Sequence, residues 1–183
     1  MLTGEALAER ARALEWLLFD VDGVFTDGRL VYGPAGEEHK VFHVRDGLGL
    51  KLAQKAGLKV GILSGRISEA LRFRAGELGM DALFMDRSDK EPAFDEFLAS
   101  LGTAPERVAY LGDDLLDLPV LRRCSLSFAP ADAVAEVRER VDRVLLHKGG
   151  DGVVREMCEV VLHARGQWEE LIAPYLGSDG DPA

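Results

Sequence analysis

Short apolar runs alternate with helical segments along most of this chain, and few folds are compatible with that pattern. The apolar runs occupy residues 16–19, 59–63, 82–85, 108–111, 125–128 and 143–146. Nearly continuous apolar runs are typical of strands that are buried on both faces of a parallel sheet. The helical segments between them cover residues 47–56, 67–78, 91–101, 115–123, 131–140 and 152–165. The pattern predicts the α/β class, with a doubly wound and mostly parallel sheet.

One segment interrupts the alternation and predicts a β-hairpin inserted at about residues 29–44. Two apolar stretches, 29–32 and 40–44, flank the turn sequence Gly33-Pro34-Ala35-Gly36. Glycine and proline favour tight turns between antiparallel strands. The length of the chain predicts a single domain over residues 1–176, and we expect the polar tail at 177–183 to be disordered.

The charge balance excludes some partner classes. The chain carries 22 basic and 32 acidic residues, a net charge of −10, which disfavours nucleic acid and anionic membranes as partners. Its two cysteines, Cys124 and Cys158, are not spaced as metal ligands. The N-terminal sequence does not resemble a signal peptide, and no apolar run approaches the ~20 residues that span a bilayer. We therefore expect a cytoplasmic protein.

The residues that follow the predicted strands are suited to chemistry. Asp20 and Asp22 follow the first strand, and Ser64 follows the second. Asp113 follows the fourth strand, and Lys90 lies just beyond the third. Ligands of open α/β sheets bind at the carboxyl ends of the strands. We therefore expect these side chains to meet at one edge of the sheet.

The residue types at this edge favour phosphoryl transfer. Clustered aspartates repel one another unless a cation neutralises them, and Mg²⁺ prefers oxygen ligands. One carboxylate can act as the nucleophile, and a second can protonate the leaving oxygen. The Ser64 hydroxyl, the Gly65 amide and the Lys90 ammonium can hold the oxygens of the transferred group. Asp117 is either an indirect metal partner, through water or Lys90, or a solvated side chain.

Four motifs resemble those of the haloacid dehalogenase superfamily of phosphatases. They are Asp20-x-Asp22-Gly-Val, Ser64-Gly-Arg, Lys90 and Gly-Asp113-Asp114-x-x-Asp117. Longer strings resemble the 3-deoxy-D-manno-octulosonate 8-phosphate phosphatase family, from about residue 17 to residue 163. These strings are Thr26-Asp27-Gly28, Gly36-Glu37-Glu38, Val44-Arg45-Asp46-Gly47 and Gly149-Gly150-x-Gly152-x-Val154-Arg155-Glu156.

The resemblance implies a role for each catalytic residue. Asp20 would be the nucleophile and a Mg²⁺ ligand. Asp22 would be the acid and base, and its backbone carbonyl would also bind the metal. Asp113 would complete the protein ligands, while Ser64 and Lys90 would bind phosphate. The substrate would be a small phosphorylated sugar acid.

The resemblance also implies which residues contact the sugar acid. Besides Asp22 and Lys90, they are His43, Val44, Arg45, Asp46, Gly47, Lys51, Gly65, Arg66 and Arg74. Some would act across a subunit boundary, because the family resembles a homotetramer whose hairpins pack together. The family often has Asn at the position of His43, and Arg at the positions of Lys51 and Asp151. These departures leave a nine-carbon keto-sugar acid open as an alternative substrate.

Spacing provides two further expectations. Asp20 and Ser64 are 44 positions apart, and Lys90 and Asp113 are 23 apart. Neither interval has the ~50 residues that a cap domain would need. Arg66 and Arg74 are eight positions apart on one predicted helix. They would either clamp a substrate carboxylate or pair with nearby glutamates.

Other functional classes fit the order of motifs less well. A phosphoacceptor signalling domain normally carries its acceptor aspartate on a middle strand, whereas here the Asp20-x-Asp22 pair comes first. A dehalogenase does not need Asp22, because a departing halide needs no proton. A catalytically idle oligomerisation module remains an alternative, although the four chemical motifs are intact.

Overall fold

A six-stranded sheet forms the centre of the protein in the computed structural model, which describes residues 4–177. The strands are β1 (Trp16–Phe19), β2 (Val31–Tyr32), β3 (Glu38–His39), β4 (Lys59–Leu63), β5 (Ala82–Phe84), β6 (Val108–Leu111), β7 (Leu126–Ala129) and β8 (Arg143–Val144). The strand order is β5-β4-β1-β6-β7-β8 and all neighbours are parallel, while β2 and β3 form a separate antiparallel pair. The predicted doubly wound parallel sheet is confirmed.

Helices cover both faces of this sheet. They are α1 (Gly4–Ala13), α2 (Val44–Lys55), α3 (Glu69–Leu78), α4 (Lys90–Leu101), α5 (Leu118–Leu121), α6 (Ala135–Arg138), α7 (Val153–Ala164) and α8 (Trp168–Leu176). Two 3₁₀ turns lie at Pro105–Arg107 and Leu115–Asp117. Within the described part of the chain, no helix has the length and apolar character needed to cross a membrane.

All four residues of β1 are apolar because the strand is buried on both faces. Leu17 and Phe19 point into a core shared with α1, α2 and α7. Trp16 and Leu18 point into a second core on the opposite face, where the Trp16 ring meets Phe97 of α4 edge-on at 5.1 Å. Successive side chains of a strand face opposite sides, so both must be apolar when both faces are covered by helices.

Local capping sets the ends of the helices that border the site. The Ser68 hydroxyl accepts a hydrogen bond from the backbone N–H of Leu71 at the start of α3. The Asp89 carboxylate caps α4 in the same way. Gly79 and Gly102 end these helices with left-handed backbone, which costs glycine little.

The hairpin differs from its prediction in one strand. The turn at residues 33–36 forms as expected, with the Gly33 N–H bonded to the Glu37 carbonyl. The second strand is Glu38–His39, however, and the predicted strand at 40–44 was wrong. The tight turn pairs Tyr32 with Glu38, which sets the strand earlier in the sequence. Residue 43 is extended and begins α2 instead.

Several other boundaries also differ from the sequence prediction. The helix predicted at 115–123 is a 3₁₀ turn followed by the short α5, and the helix predicted at 131–140 shrinks to α6. Pro119, near the start of α5, lacks the N–H that would continue a helical ladder. Helices α1 and α8 were not predicted. Of the tail expected to be disordered, residues 178–183 lie outside the described range.

Candidate active site

The strand order brings the three predicted loops to one edge of the sheet. Strand β1 lies between β4 and β6, so Asp20, Ser64 and Asp113 follow neighbouring strands. The Asp20 N–H bonds to the Leu111 carbonyl at 3.0 Å, and the Ser64 N–H bonds to the Phe84 carbonyl at 2.8 Å. These bonds extend the sheet pairing to the site residues and fix their backbone.

Lys90 is the buried cation of the site. Its side chain is 3% exposed, and its Nζ lies 2.8 Å from Asp20 Oδ1 and 2.5 Å from Asp117 Oδ1. Burial alone would lower the pKa of Lys90, but the two carboxylates raise it above its ordinary value. Lys90 therefore stays charged, where it can neutralise phosphate oxygens as well as carboxylates.

Asp117 organises the loop that follows β6. Its Oδ1 accepts hydrogen bonds from Lys90 and from the Tyr110 hydroxyl. Its Oδ2 accepts from the backbone N–H groups of Asp113 and Asp114, at 2.9 and 3.1 Å. The side chain is buried, so the suggestion that it is a solvated surface residue was wrong. With four donors already bound, Asp117 is a support for Asp113 and a poor direct metal ligand.

Asp20 and Asp113 have the properties of a cation site. Carboxylate oxygens of Asp20, Asp113 and Asp117 lie within 4.8 Å of one another. Asp113 Oδ1 is buried with no hydrogen-bond partner among the described residues. Burial, with the nearby carboxylates of Asp20 and Asp117, raises the pKa of Asp113 to about 8. Burial also raises the pKa of Asp20 to about 6 against the opposing effect of Lys90.

A hard divalent cation fits this donor set. Asp20 and Asp113 offer carboxylate oxygens, the ligands that Mg²⁺ prefers. A bound cation would also supply the missing partner of Asp113 Oδ1 and favour the ionised form of both carboxyl groups. The oxygens of Asp117 are already saturated by its four donors. Asp20 and Asp113 are therefore the side chains that could hold the cation.

The cleft beside these carboxylates has a volume of about 170 Å³. The predicted site residues that line it are Asp20, Asp22, Gly65, Arg66, Lys90 and Asp113. Ser64 lies directly before this lining at the end of β4, buried, with its Oγ 3.3 Å from the Arg66 N–H. The structure therefore brings the predicted phosphate-binding and carboxylate residues together.

The hairpin contacts two residues of the cleft wall, Asp22 and Arg66, through side chains that the sequence did not indicate. Lys40 follows β3, and its Nζ donates to Asp22 Oδ1 at 2.5 Å and to Glu38 at 3.0 Å. Arg66 contacts the same two carboxylates. Its guanidinium also lies 3.1 Å from the Tyr32 hydroxyl. The hairpin residues Lys40 and Tyr32 thus hold two side chains of the cleft wall, those of Asp22 and Arg66.

Arg66 and Arg74 do not share a helix, which corrects the sequence prediction. Helix α3 begins at Glu69, so Arg66 lies in the preceding loop and faces Asp22. Arg74 lies on α3 and pairs with Glu77 at 3.3 Å. The N-terminal cap explains why Arg66 lies outside the helix, because Ser68 caps α3 two residues beyond Arg66.

The segment at the start of α2 lies away from the cleft. The seven predicted sugar-contact residues that do not line it are His43, Val44, Arg45, Asp46, Gly47, Lys51 and Arg74. Lys51 donates to the Leu78 carbonyl at the end of α3. Arg45 lines a different pocket, of about 310 Å³, beside Arg155. None of these seven residues belongs to the lining of the cleft in the single chain.

Asp46 links two helices within this segment. Its Oδ1 accepts a hydrogen bond from the Arg155 N–H at 2.8 Å, near the start of α7. Its Oδ2 is buried without a partner among the described residues. Burial is the main cause that raises the pKa of Asp46 to about 6.

The glycine-rich string at 149–152 packs directly against the loop that follows β1. A Cβ on Gly149 would lie 2.0 Å from the Gly23 carbonyl oxygen, and one on Gly150 would lie 2.6 Å from the Asp27 nitrogen. The Gly150 N–H also bonds to the Val24 carbonyl at 2.9 Å. Only residues without a side chain can approach the loop after Asp22 this closely.

Comparison with known proteins identifies the family. The sequence profile of haloacid dehalogenase-like hydrolases matches residues 83–157. The 3-deoxy-D-manno-octulosonate 8-phosphate phosphatase of Haemophilus influenzae is 43% identical over 161 residues, which cover 88% of this chain and 89% of that protein. The chain belongs to the 3-deoxy-D-manno-octulosonate 8-phosphate phosphatase family. This phosphatase is accordingly a phosphoric monoester hydrolase, as its motifs predicted.

Solved structures place the phosphatase in the same group. A probable YrbI family phosphatase from Pseudomonas syringae superimposes with a TM-score of 0.91 at 43% identity, covering 95% of this chain and 99% of that one. The Moraxella catarrhalis 3-deoxy-D-manno-octulosonate 8-phosphate phosphatase, solved with magnesium, phosphate and the sugar acid, superimposes with a TM-score of 0.89 at 33% identity. That match covers 92% of this chain and 97% of the other.

Proposed function

We propose that this phosphatase hydrolyses 3-deoxy-D-manno-octulosonate 8-phosphate to the free sugar acid and phosphate. The observation that carries the proposal is the 43% identity to a phosphatase of that name over 88% of the chain. The cleft at the sheet edge supports it, because it gathers carboxylates and a buried lysine in one small volume.

Asp20 is the proposed nucleophile. Its carboxylate is fixed at the end of the central strand, and Lys90 contacts one of its oxygens. Attack on phosphorus forms an aspartyl phosphate on Asp20 and breaks the bond to the sugar oxygen. A Mg²⁺ ion held by Asp20, Asp113 and the Asp22 carbonyl would neutralise charge on the transferred group.

Asp22 is the proposed proton carrier. It lines the same cleft two residues beyond Asp20. Its carboxyl gives a proton to the departing sugar oxygen in the first step. In the second step the resulting carboxylate takes a proton from the water that attacks the aspartyl phosphate. Phosphate is released and both aspartates return to their starting forms.

Ser64, Gly65 and Lys90 are the proposed phosphate-binding groups. Ser64 supplies a hydroxyl at the end of β4, Gly65 supplies an N–H at the cleft wall, and Lys90 supplies a buried ammonium. Hydrogen-bond donors that are already in place cost little reorganisation when charge develops on the phosphoryl oxygens.

We propose that recognition of the sugar acid needs more than one copy of the chain. Arg66 borders the cleft, while His43–Gly47, Lys51 and Arg74 lie elsewhere on the same chain. Exposed apolar residues on the hairpin, among them Val31, Tyr32 and Val41, provide a surface for packing. A homotetramer in which hairpins meet would bring these residues to a neighbouring cleft.

The remaining parts of the proposal concern the cellular setting. We place the enzyme in the cytoplasm, where it would supply the sugar acid for lipopolysaccharide biosynthesis. The net charge of −10 supports neither nucleic acid nor anionic membrane as a partner. A nine-carbon keto-sugar acid phosphate is the second candidate substrate, favoured by the departures at His43, Lys51 and Asp151.

A phosphate-release screen tests the proposal. Purified protein is assayed with eight-carbon and nine-carbon keto-sugar acid phosphates and with hexose phosphates, in Mg²⁺ and in EDTA. We expect the highest kcat/KM with the eight-carbon substrate and no turnover in EDTA. A higher kcat/KM with the nine-carbon substrate would establish the alternative. No turnover with any substrate would support an idle oligomerisation module.

A further inference from the structure

Lys40 is a buried cation outside the four motifs. Its side chain is 3% exposed, although it stands on the hairpin, where most neighbours face solvent. Its Nζ lies 2.5 Å from Asp22 Oδ1 and 3.0 Å from Glu38 Oε1. A buried ammonium is costly unless carboxylates compensate it. Asp22 and Glu38 together compensate the buried charge of Lys40, so the three side chains are held as one ion-pair cluster.

The same contacts determine where the Asp22 carboxylate lies. Oδ1 is bound to Lys40, and Oδ2 is 3.8 Å from Arg66 Nε. The oxygens that cluster within 4.8 Å are those of Asp20, Asp113 and Asp117, so the Asp22 carboxylate is not part of that group. Lys40 is the stronger restraint of the two, because the Arg66 side chain is 43% exposed and its ion pairs are screened by water.

We propose that Lys40 is a positioning residue for the Asp22 side chain, whose carboxyl it keeps apart from the carboxylates of Asp20 and Asp113 so that this carboxyl can serve as a proton carrier. The inference rests on the proposed function, in which Asp22 protonates the leaving oxygen. Lys40 occupies Oδ1 and leaves Oδ2 to carry the proton to that oxygen. Without Lys40, the Asp22 carboxylate would lose its main restraint and could turn toward the carboxylates of Asp20 and Asp113, which would hold the cation.

The role predicts a dependence on the leaving group. An alkoxide of a sugar needs a proton as it departs, whereas p-nitrophenolate is stable enough to depart without one. Loss of a well-placed acid therefore slows alkyl esters more than activated aryl esters. A mere loss of hairpin stability or of substrate binding would not produce this difference.

The test compares kcat/KM of wild type and Lys40→Met for a primary alkyl phosphate and for a series of aryl phosphates. We expect Lys40→Met to lose about tenfold or more on the alkyl ester, a fraction of the ~10²–10⁴ that acid catalysis supplies. The loss on p-nitrophenyl phosphate should be smaller than about threefold on the same reasoning. The plot of log kcat/KM against leaving-group pKa should become steeper.

Two variants on the same hairpin serve as controls. Glu38→Gln weakens the contact between residue 38 and Lys40 but keeps the Lys40–Asp22 contact. The slope of the plot should therefore stay at the wild-type value. His39→Gln changes the adjacent exposed side chain and should leave both esters unaffected. Thermal unfolding of all variants measures any loss of folding separately from the loss of rate.

Equal losses on alkyl and aryl esters, or no loss on the alkyl ester, would overturn the assignment. If Lys40→Met does not fold, Lys40→Gln takes its place, and a wild-type slope in that variant would equally contradict the role. Failure of the proposed substrate is recognised separately. In that case wild type does not hydrolyse the octulosonate ester, and a simple primary alkyl phosphate replaces it in the comparison.

Discussion

Lys90 and Asp20 form a buried ion pair at 2.8 Å at the end of the central strand. The same ammonium also contacts Asp117, which in turn holds the backbone of the Asp113 loop. The Lys90 nitrogen therefore links the proposed nucleophile, Asp20, to the loop of the proposed metal ligand, Asp113.

Replacing Lys90 should therefore damage both stability and activity. Lys90→Met leaves the carboxylates of Asp20 and Asp117 buried without their cation, and we expect a loss of about 3–5 kcal/mol in the free energy of unfolding. Tyr110→Phe is the matched control, because it removes only the hydroxyl that donates to Asp117. It should cost about 1.5 kcal/mol. Urea unfolding of both variants without metal checks this order, and similar losses would contradict it.

Metal binding should stabilise the protein through Asp113. Its buried Oδ1, which has no hydrogen-bond partner within residues 4–177, would gain a partner when a cation binds. Mg²⁺ at a hundred times its Kd should add about 2.7 kcal/mol, which raises the thermal midpoint by roughly 5–10 °C. Asp113→Asn should abolish the shift, whereas Asp95→Asn, on the exposed surface, should preserve it. A full shift in Asp113→Asn would exclude Asp113 as a ligand.

The stability of the protein should depend on pH through Asp46. Burial raises the pKa of this carboxyl to about 6 in the folded state, while in the unfolded chain it titrates near 4. The folded state therefore holds the extra proton between these values, and stability falls as pH rises from about 4 to about 7. Asp46→Asn removes this dependence, and its amide oxygen can still accept from the Arg155 N–H.

The quantity to measure is the difference in the free energy of unfolding between wild type and Asp46→Asn. The free energy of unfolding of wild type minus that of Asp46→Asn should decrease by an amount on the order of 2 kcal/mol over this pH range. Chemical denaturation at pH 4, 5, 6 and 7 gives the two curves. Parallel curves would show that Asp46 has the same pKa in both states.

Close backbone packing behind the catalytic loop gives a prediction about glycine. Gly149→Ala places a methyl group 2.0 Å from the Gly23 carbonyl oxygen, so the loop that follows Asp22 must move. We expect a loss of about 1–3 kcal/mol and reduced turnover. Gly76→Ala is the control, because Gly76 lies within α3 and its Cβ would meet no atom within 4 Å in the part of the chain that the structure describes, the backbone of its own helix aside. That variant should gain about 0.5–1 kcal/mol. Equal behaviour of the two alanines would contradict the packing argument.

The sequence predicted the sheet and the strand-end residues well, because central strands such as Trp16–Phe19 are apolar on both faces. The catalytic loops then follow from the position of the strands. Helices α1 and α8 were missed for a physical reason. Each has a single buried residue, Ala11 in α1 and Leu171 in α8, and both lie outside the alternation of strands and helices on which the prediction rested. Pro174 within α8 further weakens the helical pattern.

The supporting residues were harder to predict than the catalytic ones. Tyr110 lies in an apolar strand run, and its hydroxyl reaches Asp117 only because the strand ends beside that loop. Lys40 depends on the hairpin register, which the turn at Gly33 sets and the sequence pattern placed too late. Such contacts join residues that only the folded structure brings together. They produce no short-range pattern in the sequence from which they could be predicted.

Asp20→Asn tests the central claim most directly, because it changes one oxygen to nitrogen at the nucleophile and keeps the size of the side chain. Phosphate release from 3-deoxy-D-manno-octulosonate 8-phosphate is measured in saturating Mg²⁺, with circular dichroism to verify the fold. We expect turnover to fall by at least about 10³-fold in a folded protein. Turnover of folded Asp20→Asn at the wild-type rate would contradict Asp20 as the nucleophile and, with it, the mechanism proposed for this site.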